Sequence, residues 1–339
     1  MYEQIRYEFI IEAQEPIAHH SESDGNQAVA FRKKVVGPDG VVRQVPIVTA
    51  DTIRHGLREA GTFAYLDAAG LLDQAALTES ALRLLFNGGM ITGKGGDSGS
   101  VSLDAYRELV ELIPHVGLLG GCARNRSIPG KVQVSDALLI CEETRHRLQP
   151  WQRDLLGKRQ LNSHRSYVEN EQRVRMDVML DPSKRRLLTA GDQVRATGKL
   201  AASERASETG DAIEKAEAKS SMMPRSFERI AQGSLFTLSI DAVVQTPLER
   251  DALDLMVTAF VTRGRVGGKK GTGHGKIGVF GVAQADGTTE WAAQIVPLLS
   301  PSEHATSIQL GDRACGQMVR EHVASNKERI KTLLDRIDA

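Results

Sequence analysis

Aromatic side chains are scarce: Phe, Trp and Tyr make up 4% of the 339 residues. That argues against a carbohydrate-binding surface or an aromatic cage. Cysteine is scarcer still. Cys122, Cys141 and Cys315 are odd in number and form no Cys-x-x-Cys pair, so neither a disulfide framework nor a cysteine zinc site is supported, and all three read as structural thiols. No apolar run approaches the roughly 18–20 residues of a membrane span, and Met1 to Arg6 lacks the basic-then-apolar layout of a signal peptide. The expectation is a cytoplasmic protein with no membrane association. Net charge is also missing: 43 Lys and Arg balance 43 Asp and Glu, without the basic excess that nucleic-acid binders usually carry.

What is present is an ordinary globular composition, 41% hydrophobic and 25% charged, enough to bury a core. Ile5, Tyr7, Phe9 and Ile11 alternate with polar residues apart from Ile10, which predicts a first strand over Tyr2 to Ala13. From His19 to Arg43 the pattern collapses into a long loop or hairpin with its tip around Asp24-Gly25-Asn26. Thr49 to Tyr65 reads as a helix with Ile53, Leu57, Ala60 and Ala64 inward, and with Arg54 and Arg58 four apart on a neighbouring, exposed face. Helices are also expected over Thr78 to Phe86 and from Ser102 to Pro114. Gly117 to Gly130 reads as a loop, Val132 to Cys141 as a buried strand and Glu142 to Met179 as an irregular insertion. Between Ala201 and Ser221 the only large apolar residue is Ile213, so that stretch cannot be core.

The last third is clearer. Phe236 to Ala242 alternates as a strand. Thr246-Pro247-Leu248-Glu249 is a capping box with proline at the first helical position, and Gly264 can end that helix in the left-handed conformation. Lys276 to Val282 reads as a final strand, followed by a charged amphipathic helix over 316–337. The order predicts an α+β protein with a ferredoxin-like (RRM-like) antiparallel sheet and large insertions. In one domain over 1–339 the core comprises about 1–66, 131–141 and 233–283. Insertions fill 67–130, a helical one, and 142–232.

Arg263 to Lys276 is the most informative stretch, with five Lys or Arg, six glycines and no acid. Glycines let backbone approach a phosphate chain closely, and the cations neutralise it. Arg263, Arg265, Gly268, Lys269, Lys270, His274 and Lys276 are therefore candidate contacts to a phosphate chain. Gly273 to Gly278 formally satisfies G-x-G-x-x-G, but a helix precedes it and a strand follows, the reverse of dinucleotide-binding order. A Walker A reading fails too, because Lys270 stands where its first glycine belongs and Ile277 where Ser or Thr belongs. No cofactor and no metal site is expected.

These motifs, taken in order, carry a resemblance. Pro46 to Arg58 after the first strand resembles the small-residue turn and Leu/Ile-Arg-x-x-Leu-Arg helix of the CRISPR-associated RAMP superfamily, and Gly267 to Gly275 resembles its C-terminal glycine-rich loop. Gly117 to Cys122 with the strand Lys131 to Cys141 is similar to the turn of its backbone, Cas-seven-like branch, most of all in type IV systems. The resemblance implies a crRNA-binding backbone subunit of a CRISPR ribonucleoprotein that forms a helical filament along the guide in antiviral defense. It presents the guide to target DNA or RNA, beside a Cas-five-like cap and a large subunit. It implies that Arg54 and Arg58, Arg124, Arg126 and Lys131 hold guide phosphates with the glycine-rich loop. Within Met222 to Phe227, Met222, Met223 and Phe227 would form a base-wedging thumb.

The same resemblance frames the question of catalysis. Relatives of type III cut target RNA with a metal-dependent aspartate, for which Asp24 is the candidate here. RAMP endoribonucleases process guide RNA with a histidine base, for which His19 or His20 would serve. The expectation is a non-enzymatic subunit. Neutral net charge then reads as an average: residues 263–276 carry +5 while acids gather in Glu3 to Glu15 and Glu204 to Glu217, an arrangement that lets copies bind RNA without repelling one another.

Overall fold

The computed structural model describes residues 2–24, 27–72, 77–89, 103–123, 126–176, 189, 192, 222–286 and 316–336. They belong to two compact units, one spanning Met1–His19, Phe31–Val168 and Ile230–Ala339, the other His20–Ala30 and Glu169–Arg229. The chain opens with β1 (Glu3–Ala13), β2 (His20–Asp24), β3 (Gln27–Ala30), β4 (Arg32–Val36) and β5 (Val42–Val48). Next come α1 (Ala50–Ala68), α2 (Glu79–Asn87), α3 (Leu103–Leu112) and α4 (Pro114–Leu119), then β6 (Gly121–Ala123), β7 (Arg126–Ile128), β8 (Val132–Val134) and β9 (Ala137–Leu139). The second half holds α5 (Pro150–Leu156), β10 (Val168–Met176), β11 (Met222–Ile230), β12 (Leu235–Val244), α6 (Pro247–Arg263), β13 (Ile277–Asp286) and α7 (Gln317–Arg336).

In the first unit seven strands form one sheet in the order β13-β1-β12-β9-β5-β4, with β8 also on β12. β1 pairs antiparallel with both β12 and β13, and β12 antiparallel with β8 and β9. The core therefore runs β1, α1, β8 and β9, β12, α6, β13, with the first strand between the third and the last. This is the split βαβ arrangement of a ferredoxin-like fold, and the expected α+β class holds. Gly61 on α1 lets α6 approach, since a Cβ there would lie 2.4 Å from Met256 Cγ. Of the expected inner residues of α1, Ile53, Leu57 and Ala60 are buried and Ala64 is half-buried; Ala252, Met256 and Phe260 of α6 are buried as well.

Ile10, the residue that broke the alternation of β1, is buried on the opposite side of the sheet. It joins Trp151 and Leu156 of α5 with Ile140, Leu148, Leu235 and Ala283 in a second, smaller core. Glu8 shares that side, is 7% exposed, and accepts a hydrogen bond from Trp151 Nε1 at 3.1 Å. The sheet is thus covered on both faces, which is why one strand carries two apolar registers.

Several boundaries differ from the sequence reading. The segment 19–43 holds two hairpins: β2 pairs with β3 up to Asp24 and Gln27, the tip residues lying outside the described residues, and β4 pairs with β5. α4 takes in residues 117–119, the first three of the expected 117–130 loop, and β6 and β7 form a short hairpin beyond them. The expected strand 132–141 is two three-residue strands. At the break the Ser135 N–H still reaches the Ser239 carbonyl at 2.9 Å, while Ser135 Oγ accepts the Ser239 N–H and the Asp136 carboxylate accepts the Ala50 N–H, both at 2.8 Å, so side chains take over part of the ladder there. α7 has the expected amphipathic pattern: its mostly exposed polar residues alternate with Val319, Val323, Ile330 and Leu334, which are buried in the main core, each contributing about 1.5–3 kcal/mol. Cys141 is buried, which pushes its thiol up to about 11, in keeping with an inert structural role.

The second unit is a four-stranded sheet in the order β10-β11-β3-β2. Its β11 runs parallel to β3, with Ser226 opposite Gln27 and Phe227 opposite Ala28. The 201–221 stretch lies outside the described residues.

Candidate nucleic-acid interface

α6 ends as its sequence dictates. Thr246 Oγ1 accepts the Glu249 N–H at 3.1 Å, and Gly264 takes the left-handed conformation at φ 53. The Glu249 carboxylate departs from the expected box by accepting the Gln245 N–H at 2.7 Å. The chain then forms a closed, anchored loop before β13. The Ile277 N–H returns to the Gly264 carbonyl at 2.8 Å, and the Val266 N–H to Gly275 at 2.8 Å. Gly268 donates to Ala18 at 2.7 Å and Gly275 to Pro16 at 2.9 Å, which fastens the loop to the segment after β1. Two glycines are required by this closure. Gly267 has φ 75 and a Cβ there would lie 2.8 Å from the Ala18 carbonyl oxygen; Gly275 has φ 83 and a Cβ would lie 2.1 Å from that of Val266.

The base of the loop is packed while its tip is open. Val266 and His274 are buried, the His274 Nδ1 lying 3.0 Å from the Thr272 carbonyl. Arg265 is tied to Glu15 and to the carbonyls of Lys270 and His274, each at 3.2 Å. Lys269 and Lys276 are exposed, and open space surrounds Gly271 and Gly273. Lys269 is left-handed at φ 55, Lys270–Thr272 makes one right-handed turn, and Gly273 is left-handed again at φ 76. Alternation of this kind aims backbone N–H groups into anion-binding concavities.

Two acids on neighbouring elements organise the cations. Glu59 on α1 pairs with Arg263 at 2.7 Å and lies 3.7 Å from Lys270 Nζ. Glu15 pairs with Arg265. One turn beyond Glu59, Phe63 carries the Arg263 guanidinium 5.0 Å above its ring. Sequence reasoning missed Glu15, Glu59 and Phe63; the i, i+4 spacing of Glu59 and Phe63 was available, but which helix end faced it was not.

Other expected contacts lie elsewhere or are already committed. Arg54 and Arg58 do not form an exposed track. Arg58 is 7% exposed and donates to the carbonyls of Gly120 at 2.9 Å and Leu119 at 3.4 Å. Arg54 donates to Val132 at 2.7 Å and to Leu119. The reason is the C-terminus of α4, whose carbonyls lack intrahelical donors and lie against this face of α1. Burial, and then the Arg54 charge, lower Arg58 to about 10. Lys131 is bound to Gln245 at 3.0 Å and to Glu249, at the start of α6. Arg124 lies outside the described residues, as does the side chain of Arg126.

Phe227 is no exposed wedge. It is 3% exposed, meets His20 edge-on at 5.7 Å and has Arg173 5.7 Å from its ring centroid. Met222 and Met223 belong to β11, with side chains outside the described residues; the same holds for Asp24 at the end of β2. The His19 Nε2 accepts the Thr49 N–H at 3.2 Å, and the His20 Nε2 lies 2.8 Å from the Glu228 carbonyl. Among the described residues no group of His, Cys, Asp and Glu is arranged to hold a metal, and no helix is long and apolar enough to cross a membrane.

The fold and the loop together define a ferredoxin-like α+β protein that presents a pinned, basic, glycine-rich loop. No family model matches the chain, and no curated protein matches it. Among solved structures, a chain from one titled "Type IV-B CRISPR Complex" is similar, with 18% identity and a TM-score of 0.49, over 91% of this chain and 100% of that one.

Proposed function

We propose that this protein binds a single-stranded guide RNA as a repeated backbone subunit of a CRISPR effector complex, and that the 263–276 loop is its phosphate-binding element. The observation that carries the reading is the loop's construction. Its base is fastened by hydrogen bonds to Pro16 and Ala18, while the exposed Lys269 and the half-buried Lys270 flank a backbone of alternating hand. A loop pre-ordered in this way spends little conformational entropy on binding a polyanion. The sequence motifs that resemble the RAMP superfamily support the same reading, because the loop follows α6 and leads into the last core strand, β13. The partners are further copies of the chain, the capping and large subunits, and a DNA or RNA target recruited by the guide.

The RNA-contacting set consists of Lys269, Lys270, Lys276, Arg263 and Arg265, with Gly268 shaping the loop. His274 supports its base, and Arg54, Arg58 and Lys131 brace the surrounding elements. We propose no catalytic role for the chain. Purification at low salt should yield RNA of one narrow size class, identified by extraction, sizing and sequencing. A protein free of nucleic acid under those conditions would overturn the reading. Asp24→Ala should leave RNA assembly intact, and a metal-dependent target cut that this substitution abolishes would overturn the non-catalytic assignment.

A further inference from the structure

Phe63 is 40% exposed on α1, and single exposed aromatics are ordinary on protein surfaces. Its setting is not ordinary. The Phe86 ring meets it edge-on, at 5.0 Å and 67°, while the Arg263 guanidinium sits 5.0 Å from its centroid. Both neighbours are themselves held: Arg263 by Glu59 at 2.7 Å, and Phe86 by packing against the main core. Glu59 lies one helical turn before Phe63 and faces Lys270 across 3.7 Å, so the ring lies beside the basic loop.

We propose that Phe63 is a stacking platform for one nucleobase of a single strand whose phosphates lie on the Lys269 and Lys270 loop. This rests on the reading of that loop as a phosphate site and adds a base-binding position to it. An orientation locked on two sides means that the ring loses little rotamer freedom when a base stacks on it. The cations next to it favour a polyanion's base over an apolar peptide side chain. Aromatic platforms beside a positive groove are how single strands are held without sequence preference, because every base has a π-face. The platform is therefore expected to accept all four bases.

The test uses the full-length protein stripped of nucleic acid and a 15-nucleotide RNA containing 2-aminopurine. Wild type should quench the probe on binding. Phe63→Leu, which keeps the apolar contact to Phe86, should abolish that quenching and weaken affinity about five- to a hundred-fold. Its salt dependence should remain that of wild type, because no cation is lost. Phe63→Trp should retain affinity, and its indole emission should fall when RNA binds. Lys269→Ala/Lys270→Ala separates the two readings. If that double variant weakens binding while Phe63→Leu matches wild type, the platform is overturned and the loop stands. If the double variant binds as wild type does, the loop reading falls and the platform with it. Should Phe63→Leu fail to fold, unchanged indole emission in Phe63→Trp overturns the platform.

Discussion

Glu59 and Arg263 meet at 2.7 Å where α1 passes the end of α6, and the other oxygen of the same carboxylate lies 3.7 Å from Lys270. A carboxylate shared by two cations competes with any phosphate for both. Glu59→Gln should therefore tighten binding of single-stranded RNA several-fold at low salt. The gain should shrink as salt is raised, because screening weakens the repulsion between the Glu59 carboxylate and the phosphates. Fluorescence anisotropy at a series of salt concentrations reads both quantities. An affinity unchanged from wild type at low salt would show that Arg263 and Lys270 make no phosphate contact.

Lys269 is the one non-glycine residue with positive φ among the described residues, at φ 55 and ψ 27. That conformation costs an ordinary residue about 1–2 kcal/mol, a strain that persists where function requires a particular side chain. Lys269→Gly should raise unfolding stability by about 0.5–1 kcal/mol, part of the gain being offset by the entropy of the unfolded chain. It should weaken RNA binding as well. Lys269→Ala should weaken binding similarly without the gain in stability, so chemical denaturation of the pair separates backbone from charge. With Lys270→Ala added, the salt slope should flatten by about one to two units. A Lys269→Gly protein no more stable than Lys269→Ala would remove the strain argument.

The ends of α6 were legible because Thr246, Pro247 and Gly264 act locally, each through its own backbone neighbours. The ferredoxin-like order was legible because β12 and α1 carry clean periodicity and β1 alternates apart from Ile10. What sequence could not convey is what packs on a given face. The four-residue spacing of Arg54 and Arg58 put them together on α1, but only the fold brings the carbonyls of Leu119 and Gly120 against them. Likewise the break between β8 and β9 depends on Asp136 capping α1 from 86 positions away. The glycine-rich loop was legible as basic and permissive, whereas its anchors at Pro16 and Ala18 and its carboxylate partners are long-range facts.

Arg58 supplies a direct check on that correction. Its guanidinium is buried, bonds two carbonyls at the end of α4 and pairs with no carboxylate among the described residues. Arg58→Ala strands the Gly120 carbonyl, leaves that of Leu119 to Arg54 alone, and should cost about 2–4 kcal/mol of stability by urea unfolding. Arg58→Lys should cost nearly as much, since a single ammonium cannot reproduce the fork. RNA affinity of the folded protein should change little. Intact stability with lost RNA binding would restore the exposed-track assignment.

His115 sets a pH dependence of known sign. It is 2% exposed, its Nε2 lies 3.4 Å from Thr62 Oγ1 and its ring lies 4.8 Å from that of Tyr65. Burial, and then the Arg58 charge, push its pKa down to about 3, against about 6.5 in an unfolded chain. Between those values the unfolded chain binds a proton that the folded protein refuses, so stability is present above pH 6.5 and drains away as pH falls toward 3. The slope is about 1.4 kcal/mol per pH unit. Glu143 also loses stability in acid: burial alone would raise it, but hydrogen bonds from Ser163 and His164 bring it down to about 2. That contribution is common to wild type and His115→Gln and cancels when the two are compared. The glutamine variant carries no such proton, so its stability relative to wild type should improve by about 3 kcal/mol between pH 7 and pH 4, measured by urea unfolding at each pH. Parallel acid limbs for the two proteins would show that the neutral, buried imidazole is not what limits stability in acid.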